Sequence, residues 1–145
     1  MIIRVTKEFD FETAHALDGY NGKCKNIHGH SYHLTVTVKG KVIDNPEDPK
    51  DGMVIDFKDL KAIIKNEIEP IFDHRLLLRD DSRFKGIEKL NEGVRYVPYQ
   101  PTCENMLTEI VDIFKQFLPA EIILCKVSLR ETATSYSEWL AEDNL

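Results

Sequence analysis

Between residues 5 and 15 the odd positions read Val5, Lys7, Phe9, Phe11, Thr13 and His15, while Glu8, Asp10 and Glu12 take the even ones. That period of two predicts a half-buried strand that ends with His15 on its phenylalanine face. A loop rich in Gly and Asn, residues 18–23, leads to a second alternating run with His28, His30, Tyr32, Leu34, Val36 and Val38 on even positions. Residues 44–52 read as a turn-rich loop and Met53-Val54-Ile55 as a short third strand. Asp56 has the position of a helix N-cap, followed by Phe57, Leu60, Ile63, Ile64 and Ile68 at helical spacing until Pro70. After the polar residues 79–93, Pro101-Thr102 opens a second helix striped by Leu107, Ile110, Val111, Phe114 and Phe117 and ended by Pro119. Glu104 falls in its first turn, where the helix dipole favours a carboxylate. The last strand carries Ile123, Cys125, Val127 and Leu129 on odd positions. The alternation continues onto Glu131, which aims a carboxylate along the inward face.

This order predicts an α+β domain, a mainly antiparallel four-stranded sheet with two helices packed on one face. No repeat or linker interrupts residues 1–145, a length that suits a single domain. With 42% hydrophobic and 30% charged residues, the chain has the apolar material for a core and is not of a disordered class. A formal net charge of −6 argues against general affinity for nucleic acid or an anionic membrane, so an anionic ligand needs a local cluster of Lys and Arg. Three cysteines at scattered positions do not suggest a disulfide framework, and a reducing cytoplasm is the expected location. No apolar run approaches the ~18 residues of a membrane span, and the first residues lack the apolar core of a signal peptide.

His15 with His28-Gly29-His30 is the strongest chemical signal. Histidines at i and i+2 of a strand project to one side, and the intervening glycine allows close approach to the backbone. If the two strands pair, three neutral imidazoles meet, which with a fourth position open is the arrangement of catalytic zinc. One histidine on an apolar face is more often a hydrogen-bonded core residue; three would need three separate solutions. His33 has the opposite parity and is not expected to be a ligand. Cys24, four residues before His28, has two readings: a fourth ligand that closes a structural site, or a free thiol beside the metal acting as base or nucleophile. Asp73-His74 could share a proton transfer, although such a dipeptide is more often a solvated loop. Glu131, on an apolar face, needs either a ligand with several N–H donors or an internal salt bridge. Cys103 and Cys125 read as buried small apolar residues.

In series, Phe11-Glu12-Thr13-Ala14-His15, Cys24-Lys25-Asn26-Ile27-His28-Gly29-His30-Ser31-Tyr32, Asp56-Phe57, Asp73-His74-Arg75-Leu76, Pro101-Thr102-Cys103-Glu104-Asn105 and Arg130-Glu131-Thr132 resemble the 6-carboxy- and 6-pyruvoyl-tetrahydropterin synthases over nearly the whole chain. The resemblance implies the tunnelling fold, in which subunit sheets join into a barrel, usually as a homohexamer made of two trimers. It implies Zn2+ on His15, His28 and His30, Cys24 as catalytic base, Asp73 and His74 as proton relay, and Glu131 as the carboxylate that anchors the pterin. Thr102 and Glu104 match the segment lining the pterin pocket. The implied substrate is 7,8-dihydroneopterin triphosphate. The interval from Cys24 to His28 resembles bacterial enzymes that form 6-carboxy-5,6,7,8-tetrahydropterin, acetaldehyde and triphosphate on the way to queuosine. The alternatives are a 6-pyruvoyl-tetrahydropterin synthase and a non-catalytic zinc- or pterin-binding module. Residues 79–93 lie in a longer connection than the shortest bacterial relatives have, which bears on the pocket rim.

Overall fold

The computed structural model describes residues 1–145. Strand β1 (Ile2–His15) pairs antiparallel with β2 (His28–Lys41) along its whole length, from Ile2 opposite Lys41 to His15 opposite His28. Their parity is the expected one. Phe11, Thr13, His15, Tyr32, Leu34, Val36 and Val38 are buried, while Glu8, Asp10 and Glu12 face solvent.

The sheet departs from the four antiparallel strands expected. It has six strands in the order β4-β3-β1-β2-β5-β6 and is mixed. Strand β3 (Arg75–Arg79) runs parallel to β1, and β4 (Val94–Val97) runs parallel to β3. Strand β5 (Ile123–Thr132) is antiparallel to β2, and β6 (Ser135–Leu140) is antiparallel to β5. Leu76-Leu77-Leu78 shows no alternation because β3 is covered on both faces: Leu77 belongs to the main core, and Leu76 and Leu78 to a smaller cluster with Ala16. Phe84 and Ile87, from the polar segment 79–93, pack on that smaller cluster. Met53-Val54-Ile55 forms no strand. It is a bend that buries Val54 and Ile55 and delivers the chain to Asp56.

Asp56 caps helix α1 (Phe57–Ile63) by accepting from the Lys58 amide at 2.9 Å. Pro70 does not end the helical path. A π-helical turn (Ile64–Ile68) leads into α2 (Glu69–Phe72), where the proline occupies the first turn and its missing N–H has no intrahelical acceptor to serve. Thr102 caps α3 (Cys103–Phe117) through the Asn105 amide. Both helical layers lie on one face of the sheet, as expected, around a cluster of 23 buried residues. Phe57 and Phe117 are exceptions to the predicted stripes, each being exposed at a helix terminus.

Cys125 sits in a β-bulge. Thr37 pairs with Lys126 and Val38 with Leu124, so Cys125 has no partner across the strand. Before the bulge the parity is inverted: Leu124 is buried and Ile123 is exposed, contrary to the unbroken alternation, and Cys125 is half-buried rather than buried. After it, Val127 and Leu129 face inward, and Glu131 follows on the same side.

Candidate metal centre

The register of β1 and β2 brings three imidazoles together. His15 lies opposite His28, and His30 faces Thr13 two residues along. Their ring centroids are 4.5 Å apart for His15 and His28, 5.2 Å for His15 and His30, and 5.0 Å for His28 and His30. One nitrogen from each ring lies within 4.8 Å of the others. Cys24 is not part of that group.

The hydrogen bonds assign the tautomers. His15 Nδ1 is 2.6 Å from the Pro101 carbonyl, and His28 Nδ1 is 2.7 Å from the Asn26 carbonyl. A carbonyl only accepts, so both Nδ1 atoms carry the proton, and in the neutral rings the Nε2 atoms present the lone pairs. Those Nε2 atoms are buried and have no hydrogen-bond partner. Leaving a buried polar atom so costs about 1–3 kcal/mol each. A cation such as zinc accepts such lone pairs, and carbonyls on the opposite ring nitrogens are the usual support for metal-bound histidine. The residues present therefore fit a metal ion. Burial pulls His15 and His30 below the ordinary imidazole range, opposed in part by the Glu131 carboxylate, so both are neutral near pH 7 and able to coordinate.

Glu131 stands at the edge of this group. Its Oε1 lies 3.6 Å from His15 Nε2 and 3.8 Å from His30 Nε2, with the side chain 24% exposed. It also accepts a 2.9 Å hydrogen bond from the Tyr32 hydroxyl. Burial, reinforced by that carboxylate, pushes the Tyr32 phenol far above its ordinary range, so it remains a donor. Glu131 has no Arg or Lys partner, and the internal salt bridge to a basic side chain is not formed. Tyr32 enters the sequence pattern only as part of an apolar face; a fully buried phenol there is itself the signal, because its hydroxyl must find an acceptor.

Cys24 is a free, half-buried thiol in a 3-10 turn (Lys23–Lys25) that begins eight residues after the end of β1. The loop closes on itself through the Leu17 amide and the Cys24 carbonyl at 2.9 Å. Cys103 is buried beneath the site, its thiol donating to the Leu129 carbonyl at 3.2 Å, and burial raises it above the ordinary thiol range. Thr102 spends its hydroxyl on capping α3, one residue beyond the carbonyl that holds His15. Glu104 accepts from Ser137 on β6 at 3.2 Å.

Asp73 and His74 form a pair at the end of α2. His74 Nδ1 lies 2.9 Å from Asp73 Oδ2, and Asp73 Oδ1 accepts from the Glu12 amide at 2.9 Å. Partial burial acts to raise the Asp73 carboxyl, but the Glu12 amide and His74 outweigh it and hold the group below its ordinary value. His74 has a left-handed backbone, φ 58°, and its side chain is 79% exposed. No hydrogen bond or ion pair joins this pair to Cys24 or to the three histidines within the chain. His74 instead borders an open groove of about 350 Å³ with Glu12, Gly29, His30, Ser31 and Arg75. His33 lies on the opposite sheet face from the cluster, bonded to Asp10 and Glu8, which raise it above the ordinary imidazole range.

A family model described as 6-pyruvoyl tetrahydropterin synthase matches residues 4–142. A 6-carboxy-5,6,7,8-tetrahydropterin synthase of Haemophilus influenzae is 35% identical over 143 residues, covering 95% of this chain and 99% of the relative. A 6-pyruvoyl tetrahydrobiopterin synthase of Pongo abelii is 32% identical over 141 residues, covering 89% and 85%. Among solved structures, the 6-pyruvoyl tetrahydropterin synthase of Caenorhabditis elegans superposes with a TM-score of 0.70 at 24% identity, covering 97% of this chain and 96% of that one. At that identity the likeness concerns the fold.

Proposed function

The chain belongs to the 6-pyruvoyl tetrahydropterin synthase family, and from that premise we propose that it is a zinc-dependent lyase converting 7,8-dihydroneopterin triphosphate and water to 6-carboxy-5,6,7,8-tetrahydropterin, acetaldehyde and triphosphate. The observation that carries the metal dependence is the pair of buried, unpartnered Nε2 atoms on His15 and His28 beside His30. The carboxy product is favoured by the relative from Haemophilus influenzae and by the short interval between Cys24 and His28. We place the product upstream of queuosine and the enzyme in the cytoplasm, a setting that suits three free cysteines. No helix is long and apolar enough to cross a membrane.

His15, His28 and His30 would hold the ion, and their grouping without Cys24 leaves a position for substrate. When bound, zinc supplies Lewis-acid stabilisation to the oxygens of the substrate side chain. The Cys24 thiolate removes a proton from the side-chain carbon, and the Asp73-His74 pair passes protons to and from solvent. Glu131, held by Tyr32, accepts N–H groups from the amino-pyrimidine edge, with Thr102 and Glu104 on the rim of the pocket. Asp73-His74 is exposed and unconnected to Cys24 in its own chain, which fits a relay completed by a neighbouring subunit. Exposed Ile2, Ile3, Ile123 and Tyr136 fit burial in a hexamer of joined sheets.

Glu131→Gln replaces an acceptor-only carboxylate with an amide whose N–H2 faces the donors of the pterin. We expect kcat/KM to fall roughly 100-fold or more, since a buried donor loses its charged acceptor, while zinc content measured by mass spectrometry stays at the wild-type level. The reading as a whole is tested by product analysis after anaerobic incubation of zinc-loaded protein with 7,8-dihydroneopterin triphosphate. Acetaldehyde with the 6-carboxy product supports it. Formation of 6-pyruvoyl-tetrahydropterin selects the second reading, which the likeness to the Pongo abelii enzyme favours, and unchanged substrate with bound zinc rejects both.

A further inference from the structure

The segment 79–93 has no part in the chemistry above, yet it is built and anchored. It folds against Ala16, Leu76 and Leu78 through Phe84 and Ile87 on the far side of β3. From this platform Arg83 reaches both ends of the loop that carries Cys24. Its backbone N–H donates to Asp18 Oδ1 at 3.1 Å, and its guanidinium Nη2 donates to the Lys25 carbonyl at 2.9 Å. The guanidinium lies over the Phe84 ring, 4.3 Å from its centroid, which fixes the direction of the fork. Gln100 holds the same loop from the other side, donating to the Asp18 carbonyl at 2.8 Å.

The Cys24 loop needs such support. Its 3-10 turn is three residues long, and its local bonds are Lys25 N to the Gly22 carbonyl at 3.2 Å, Asn26 N to the Lys23 carbonyl at 3.0 Å and the Leu17 amide to the Cys24 carbonyl at 2.9 Å. A turn so short does not by itself offset the entropy of holding a thiol in one place. A base displaced by about 1 Å from its proton loses on the order of 100-fold in rate. We propose that Arg83 is a positioning residue for Cys24, with segment 79–93 acting as an external brace for the catalytic loop. This rests on the reading of Cys24 as the base. A direct role for Arg83 on the triphosphate is the competing assignment, but its guanidinium is already engaged by a carbonyl and an aromatic face.

The test uses the zinc-loaded, full-length protein and the variants Arg83→Ala, Arg83→Met and Arg83→Lys. Iodoacetamide labelling of Cys24 is followed peptide by peptide, with half-buried Cys125 as internal reference. Loss of the guanidinium bond should make Cys24 alkylation roughly three- to tenfold faster and lower kcat by a similar factor, the range expected for one partly exposed hydrogen bond. KM and zinc content should be unchanged, and lysine should recover part of both effects. The methionine variant keeps an aliphatic stem on Phe84 and carries the test if the alanine variant fails to fold. Unchanged labelling of Cys24 overturns the proposal, as does a rise in KM at constant kcat, which would mark Arg83 as a substrate contact. Labelling requires no turnover, so a fully active Cys24→Ala would remove the base assignment without altering what the labelling says about the loop.

Discussion

His15→Ala is expected to leave the protein unable to retain zinc and without measurable turnover. Three imidazoles hold the proposed ion, and His15 is the most deeply buried of them, with its ring fixed by the Pro101 carbonyl. Loss of a hydrogen-bond partner to a metal ligand typically costs 10–100-fold in affinity, and loss of the ligand itself exceeds that. The measurement is zinc stoichiometry after dialysis against a competing chelator, paired with thermal unfolding. A ligand that binds only the folded state at 100 times its Kd adds about 2.7 kcal/mol, so zinc should raise the wild-type melting temperature and leave that of the variant nearly unmoved. Full zinc occupancy in His15→Ala would remove the three-histidine centre from consideration.

Cys24→Ala separates the proposed base from the proposed ligands. The thiol lies outside the group of mutually close nitrogens, so zinc content and melting temperature should match the wild type. Turnover should fall by about 10²–10⁴, the usual contribution of a positioned general base. Steady-state kinetics on metal-replete protein checks this, and Cys24→Ser should recover little because an alcohol is a far weaker acid than a thiol. If the alanine variant loses its metal, Cys24 is a fourth ligand and the site is closed.

The parts legible in the sequence are those governed by short-range periodicity. Two long alternating runs placed His15, His28 and His30 on one face, and the same parity excluded His33. Asp56 and Thr102 marked their helix starts because capping is a local interaction. Strands β3 and β4 were not readable. Leu76-Leu77-Leu78 is apolar on both faces, and what covers its second face arrives from residues 84 and 87 through tertiary packing. The bulge at Cys125 is set by strand pairing, so the sequence extends a smooth alternation through it while Ile123 and Leu124 trade faces. Pro70 misleads because a π-helical turn just before it resets the helix and places the proline where its lacking N–H is harmless. In the site, Glu131 was predictable from parity, whereas its hydroxyl partner Tyr32 and the Pro101 carbonyl behind His15 depend on contacts across 99 and 86 residues.

That spread of distances imposes an order on assembly. The three histidines lie within the first two strands, whose pairing is antiparallel and joined by one loop, so they can meet as soon as this short stretch has left the ribosome. Pro101 comes after the first helical layer and the parallel pair β3 and β4, so its bond to His15 is a contact of long separation that forms slowly. Glu131 follows in the penultimate strand. In the proposed metal centre all three ligands would therefore be made before the last strands, and an ion bound there would add the stability that a lone pair of strands lacks.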